Sequence, residues 1–162
     1  KQITIYQNQT TMAKLEKLSE GMQQRLNTIV SDFQIDKFAN VEAMCAMKQK
    51  NPVLVSRANA QTEFATNKPD TIYICINEPV MELLTDIQQD MLLRDALSGI
   101  YLDPEKEKLV INKPEISISM WGRMKYGEQL DKAYEAFVLA NQQKEEEEKE
   151  RKNAQKKQKE EL

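Results

Sequence analysis

The chain has 162 residues, 40% of them hydrophobic, which suits one ordinary domain with a packed core and a short extension. Its formal net charge of −3 argues against a general nucleic-acid binder, which carries a basic stripe. No uninterrupted apolar run exceeds five residues, as at Ile72–Ile76, so nothing approaches the ~20 apolar residues of a membrane span.

The opening residues Lys1–Thr11 are polar, unlike a secretory leader. Lys1 is unusual as a native first residue, which predicts an initiator Met or short leader before it. Residues 2–6 alternate Gln-Ile-Thr-Ile-Tyr and suit a short strand or ordered arm. Thr10 or Thr11 can cap a helix in which Met12, Leu15, Leu18, Met22, Leu26 and Ile29 recur at helical spacing. That stripe serves either the domain core or the seam of a homodimer.

Asp32–Phe38 reads as a connector with buried aromatics. Asn40 can cap a second helix over about residues 41–50, stopped by Asn51-Pro52. Val53-Leu54-Val55 opens a strand, and residues 58–70 form a turn or irregular connection. Thr71–Asn77 is the clearest strand, apolar on both faces and so expected to be central and covered. Pro79 starts a short helical turn. Thr85 or Asp86 then caps a helix with Ile87, Met91, Leu92 and Leu97 as its apolar residues and Gly99 as its stop.

Asp103-Pro104 makes a turn before a return strand at Leu109-Val110-Ile111. Pro114 opens a helix that ends at Tyr126-Gly127, and Leu130, Tyr134, Phe137 and Val138 begin the last amphipathic helix. Beyond Ala140 the composition changes: residues 141–162 hold seven basic and seven acidic side chains and almost nothing apolar. The pairs Glu145–Lys149, Glu147–Arg151 and Glu148–Lys152 stand at i,i+4 in the favourable order. The organisation expected is therefore a domain over 1–140 and a charged, helical or frayed tail over 141–162. Cys45 and Cys75 sit among apolar neighbours and read as buried small side chains of a reducing cytoplasm, with a disulfide between them as the alternative.

The chain contains no histidine, so no Ser-His or Cys-His dyad exists. It has no G-x-x-x-x-G-K-[ST] and no G-x-G-x-x-G, and four glycines leave little for a phosphate loop. One stretch carries a recognisable frame. It runs L-T-D-I-Q-Q-D-M-L-L-R-D-A-L-S-G-I from Leu84, then N-K-P-E-I-S-I-S-M-W-G-R-M-K-Y-G from Asn112. This resembles a small phage metallopeptidase family of zincin-like fold, over about residues 12–128. In that family the helix carries L-x-x-H-E-L-x-H, and an H-D or P-D segment and a terminal Y-G follow.

The resemblance implies a small zincin-like α+β domain, a short mixed sheet packed by helices, here with a long charged C-terminal helix. It also places the metal shell. A zincin helix binds zinc through two histidines at i and i+4, with the glutamate between them as general base. Those positions are Arg94, Asp95 and Ser98 here, and the downstream ligand position falls at Glu115. Arginine has no lone pair to donate, and serine is a poor neutral ligand. The frame therefore implies no metal, no cofactor and no catalysis. The expected function is a non-enzymatic, phage-encoded effector acting in the host cytoplasm. It would bind and inhibit a host protein, the ATP-dependent Lon protease being the candidate partner, with no nucleic acid or membrane involved. The alternatives are a modulator of another host machine such as RNA polymerase, or a non-zinc hydrolase using Asp95 and Glu115. Trp121, Tyr126 and Tyr134 are either interface anchors or core. Glu145, Lys149, Arg151 and Lys152 of the tail are candidate partner contacts.

Overall fold

A computed structural model describes residues 15–59, 70–112 and 119–162. A four-stranded mixed sheet is built from β1 (Leu15–Glu16), β2 (Asn40–Ala46), β3 (Val53–Arg57) and β4 (Thr71–Ile76), in the order β1-β2-β4-β3. β4 is central, parallel to β2 and antiparallel to β3. Successive strand residues face opposite sides, so Ile72, Ile74 and Ile76 share one face. All three are fully buried, whereas Tyr73 and Cys75 on the other face are half-buried. The strand is central as expected, but its burial is complete on one face alone.

The helix expected over 41–50 is instead strand β2. Its Ala, Met and Glu content favours a helix, yet Val41, Ala43 and Cys45 alternate and stand in register with Ile72, Ile74 and Ile76. The ladder to β4 overrides the weak local propensity. Lys48 then takes a positive φ of 68°, which a continuing helix would not allow.

Helices cover the buried side of the sheet. α1 (Glu20–Asp32) starts later than the apolar spacing predicts, because Ser19 caps it through the Met22 N–H. Leu15, expected on this helix, lies in β1 and is 49% exposed. Met12 and the caps Thr10 and Thr11 lie outside the described residues, as does the alternation over 2–6. Met22, Leu26 and Ile29 are buried in the chain's own core. A 3₁₀ turn at Ile35–Lys37 leads into β2.

After β4, α2 (Glu78–Met81) and α3 (Asp86–Leu97) follow. Thr85 caps α3 in a capping box with Gln88, and Met91, Leu92, Leu93 and Leu97 enter the core. Ile87, expected in the core, is 71% exposed. It sits in the first turn, one turn before Met91 on the same helix face, and burial of the apolar residues of that face begins only at Met91.

The hairpin of β5 (Ile100–Asp103) and β6 (Lys108–Ile111) turns where Asp103 accepts bonds from the Glu105 and Lys106 N–H groups. α4 (Met120–Tyr126) is capped by Ser119; the expected start at Pro114 lies outside the described residues. Gly127, with φ +57°, makes the corner into α5 (Glu128–Glu160). The 33 residues of α5 span about 50 Å at 1.5 Å per residue. The helix runs unbroken through Ala140, while its fully buried residues are Leu130, Ala133 and Phe137. The class is α+β, a small mixed sheet with helices and a long charged C-terminal helix. Among the described residues no helix is long and apolar enough to cross a membrane.

Candidate functional site

The helix face that the sequence singles out lies on α3, and its side chains diverge. Arg94 reaches out to α1: its guanidinium lies 2.8 Å from Asp32 and 3.0 Å from Asp90 on its own helix. Burial opposes its charge, but the bonds to Asp32 and Asp90 outweigh this and raise its pKa further. Asp95 turns inward and is 3% exposed. Three donors meet its carboxylate. The Ser119 N–H donates to Oδ1 at 3.2 Å, the Ser119 hydroxyl donates to the same oxygen, and the Tyr134 hydroxyl donates to Oδ2 at 3.0 Å.

Burial raises the Asp95 pKa although the Ser119 and Tyr134 bonds favour the charged form. Burial and the neighbouring Asp95 push the Tyr134 phenol strongly upward too, so it stays a donor. Ser98 donates to the Asp95 backbone carbonyl at 2.6 Å and stands 3.3 Å from the Ser119 hydroxyl. Asp95 thus ties α3 to the start of α4 and to the first turns of α5. Gly122 makes this possible: a Cβ there would collide with Asp95 Oδ1 and come within 2.7 Å of Leu130.

Asp95 and Ser98 therefore meet Ser119 and Tyr134, and Arg94 joins a separate ion-pair group. Glu115 lies outside the described residues, so its expected approach to the α3 face does too. Among the described residues no group of three or more His, Cys, Asp or Glu side chains is arranged to hold a metal. Ser119 and Gly122 were not picked out by sequence. Their signal is a serine three residues before the glycine whose N–H it caps, at 2.9 Å. The same construction recurs at α1. There Glu78, buried on α2, accepts from the Ser19 N–H at 3.1 Å and from the Ser19 hydroxyl.

Trp121 and Tyr126 are half-buried and join Phe33 in an edge-to-face cluster, with ring centroids 5.3 Å and 5.8 Å apart. Lys125 lies over the Trp121 ring at 4.9 Å. Beside them Met120 and Met124, one turn apart, are 80% and 82% exposed. Tyr134 is held by Asp95 rather than free at a surface.

Of the three i,i+4 pairs expected in the tail, Glu148–Lys152 closes, at 3.2 Å, among the described residues. Glu148 also lies 2.9 Å from Lys48 in the turn between β2 and β3. These two lysines, Lys48 first, hold the Glu148 carboxyl below its ordinary range. Glu145 and Arg151 line a cleft between α5 and the core; Lys149 and Lys152 do not line it and lie exposed on the same helix. The cleft has a volume near 410 Å³. Its core side is formed by Met47, Asn77, Pro79 and Val80.

No family model, curated protein or solved structure matches this chain.

Proposed function

We propose that this chain is a non-enzymatic, phage-encoded effector that binds and inhibits a host protein, with the ATP-dependent Lon protease as the candidate partner. The observation that carries the reading is the use made of Asp95. In the zincin-like frame that the sequence resembles, this position belongs to the general base. Here its carboxylate is buried and engaged by Ser119 and Tyr134, as a joint between three helices. A general base must reach a substrate proton or an attacking water, and a carboxylate closed in by its own helices does not. Arg94, at the first ligand position, is likewise committed to Asp32 and Asp90. What remains available is surface: the exposed methionines of α4 and the charged length of α5, suited to contact with another protein in the host cytoplasm.

The experiment is a casein degradation assay with purified Lon and ATP, titrated with the full chain. Dose-dependent loss of proteolysis, with direct binding by calorimetry, is the expected result. Unchanged proteolysis without binding removes Lon as the partner. Casein cleavage by the chain alone, lost in Asp95→Asn, would overturn the non-enzymatic reading.

A further inference from the structure

We propose that the exposed side of α5 is a seam for a second copy of this chain, whose own α5 lies against it in the opposite direction. The proposal stands independently of the function above.

One line of residues carries it. From Glu128 to Lys159, alternating steps of three and four residues along α5 land on exposed side chains throughout. Such steps average 3.5 residues, the repeat with which two helices keep one face together by wrapping around each other left-handed. The line opens with three acids, Glu128, Asp131 and Glu135. It closes with four bases, Lys149, Lys152, Lys156 and Lys159, which line one open stretch of surface. Val138, Gln142 and Glu145 stand between the two blocks. The core takes another side of the helix, through Leu130, Ala133 and Phe137. Glu148, which meets Lys48, is not on the line either, so a partner helix leaves that tie in place. Among the described residues Lys152 is the one member of the line in an ion pair, with Glu148.

A stripe that is acidic at one end and basic at the other is complementary to itself when reversed. With Gln142 of one copy opposite Glu145 of the other, Glu128 meets Lys159, Asp131 meets Lys156 and Glu135 meets Lys152. A two-fold axis makes each of these three pairs twice, giving six opposite-charge contacts and no like-charge contact. Val138, 49% exposed in the single chain, then lies against the aliphatic stem of Lys149. Sliding one copy by seven residues in either direction leaves four opposite-charge contacts, and in one direction it sets Glu135 against Glu145. A parallel pair would set acid against acid and base against base along the whole line. The charge order therefore selects a second copy, its direction and its register. Exposed ion pairs are individually weak, so the dimer is weak and sensitive to salt.

The experiment is sedimentation equilibrium of the full-length chain at up to about 1 mM. It compares about 0.01 M with about 1 M salt, between which the screening length falls from about 30 Å to about 3 Å. At low salt the mass should rise with concentration towards that of two chains; at high salt it should stay at one. Lys156→Glu with Lys159→Glu lies beyond every buried residue of α5, so it tests the seam without touching the core. It sets acid against acid and should be monomeric at low salt. Glu128→Lys with Asp131→Lys sets base against base and should be monomeric too. An equimolar mixture of the two double variants should dimerise again, because every contact is then opposite in charge. A wild-type chain that is monomeric at low salt would overturn the seam. So would a dimer that survives high salt or the Lys156 and Lys159 exchange, or a mixture that stays monomeric.

Discussion

The two halves of α5 share one continuous helix and are held by different physics. The first half carries Leu130, Ala133 and Phe137, all fully buried, and Tyr134, bonded to the buried Asp95. The second half has no buried residue, and among the described residues the ion pair that ties it to the core is Lys48–Glu148, at the surface. Burial of apolar area and of satisfied hydrogen bonds is what fixes a helix in a domain. Charge pairs in water add little and yield to salt. A helix can therefore be rigid in phase with its domain at one end and readily displaced at the other, with no break between.

The largest test of this contrast is Phe137→Ala. Removing a fully buried ring should cost about 3–5 kcal/mol, read as a fall in the urea midpoint. A loss below 1 kcal/mol would mean that the first half is not held by burial. Next comes Gly122→Ala, which pushes a methyl into Asp95 and Leu130 and should cost about 1–3 kcal/mol. Gly21→Ala is its control: a Cβ there meets nothing, so stability should hold or rise slightly.

The acid-side behaviour should follow Asp95. Burial raises its folded-state pKa above the ordinary 3.8, so the folded chain binds this proton more tightly than the unfolded one. The stability from this group is full below 3.8 and is lost as pH rises through the raised folded value. Asp95→Asn removes that downward slope, measured as urea midpoints across acidic to neutral pH. An identical slope in the variant would assign it to another group.

The far half should give the smallest effects. Glu148 is held below its ordinary 4.5, so its contribution is present above 4.5 and is lost as pH falls through the lowered value. Lys48→Ala should increase amide exchange in residues 141–151 at low salt and leave α1 and α3 untouched. Added salt should erase the difference. Deleting residues 153–162 should leave the melting temperature unchanged and remove only helical circular dichroism. A clear fall would show that the end of α5 docks on the core.

Much of this arrangement could be read from the chain. The strand expected over Thr71–Asn77 and found over Thr71–Ile76, the cap expected at Thr85 or Asp86 and found at Thr85, the turn at Asp103 and the corner at Gly127 are local events. Each is written in side-chain chemistry within a few residues. The failures share another cause. The sequence of β2 predicts a helix because its strand character exists only against β4, a partner about 30 residues away. The apolar spacing predicts too early a start for α1 because a repeat of apolar residues does not show where Ser19, with Glu78 behind it, caps the first turn.

The candidate site divides along the same line. That the chain owns no histidine, so that Arg94, Asp95 and Ser98 cannot form a histidine zinc shell, was decided by sequence alone, since it is a matter of which atoms are present. That Asp95 is a buried joint received by Ser119 and Tyr134, and that Asn77 keeps an unpaired oxygen beside a cleft, was decided only by the tertiary structure. Composition limits the donors and acceptors a chain owns. Which of them meet, and which is left over, depends on the packing of segments far apart in sequence.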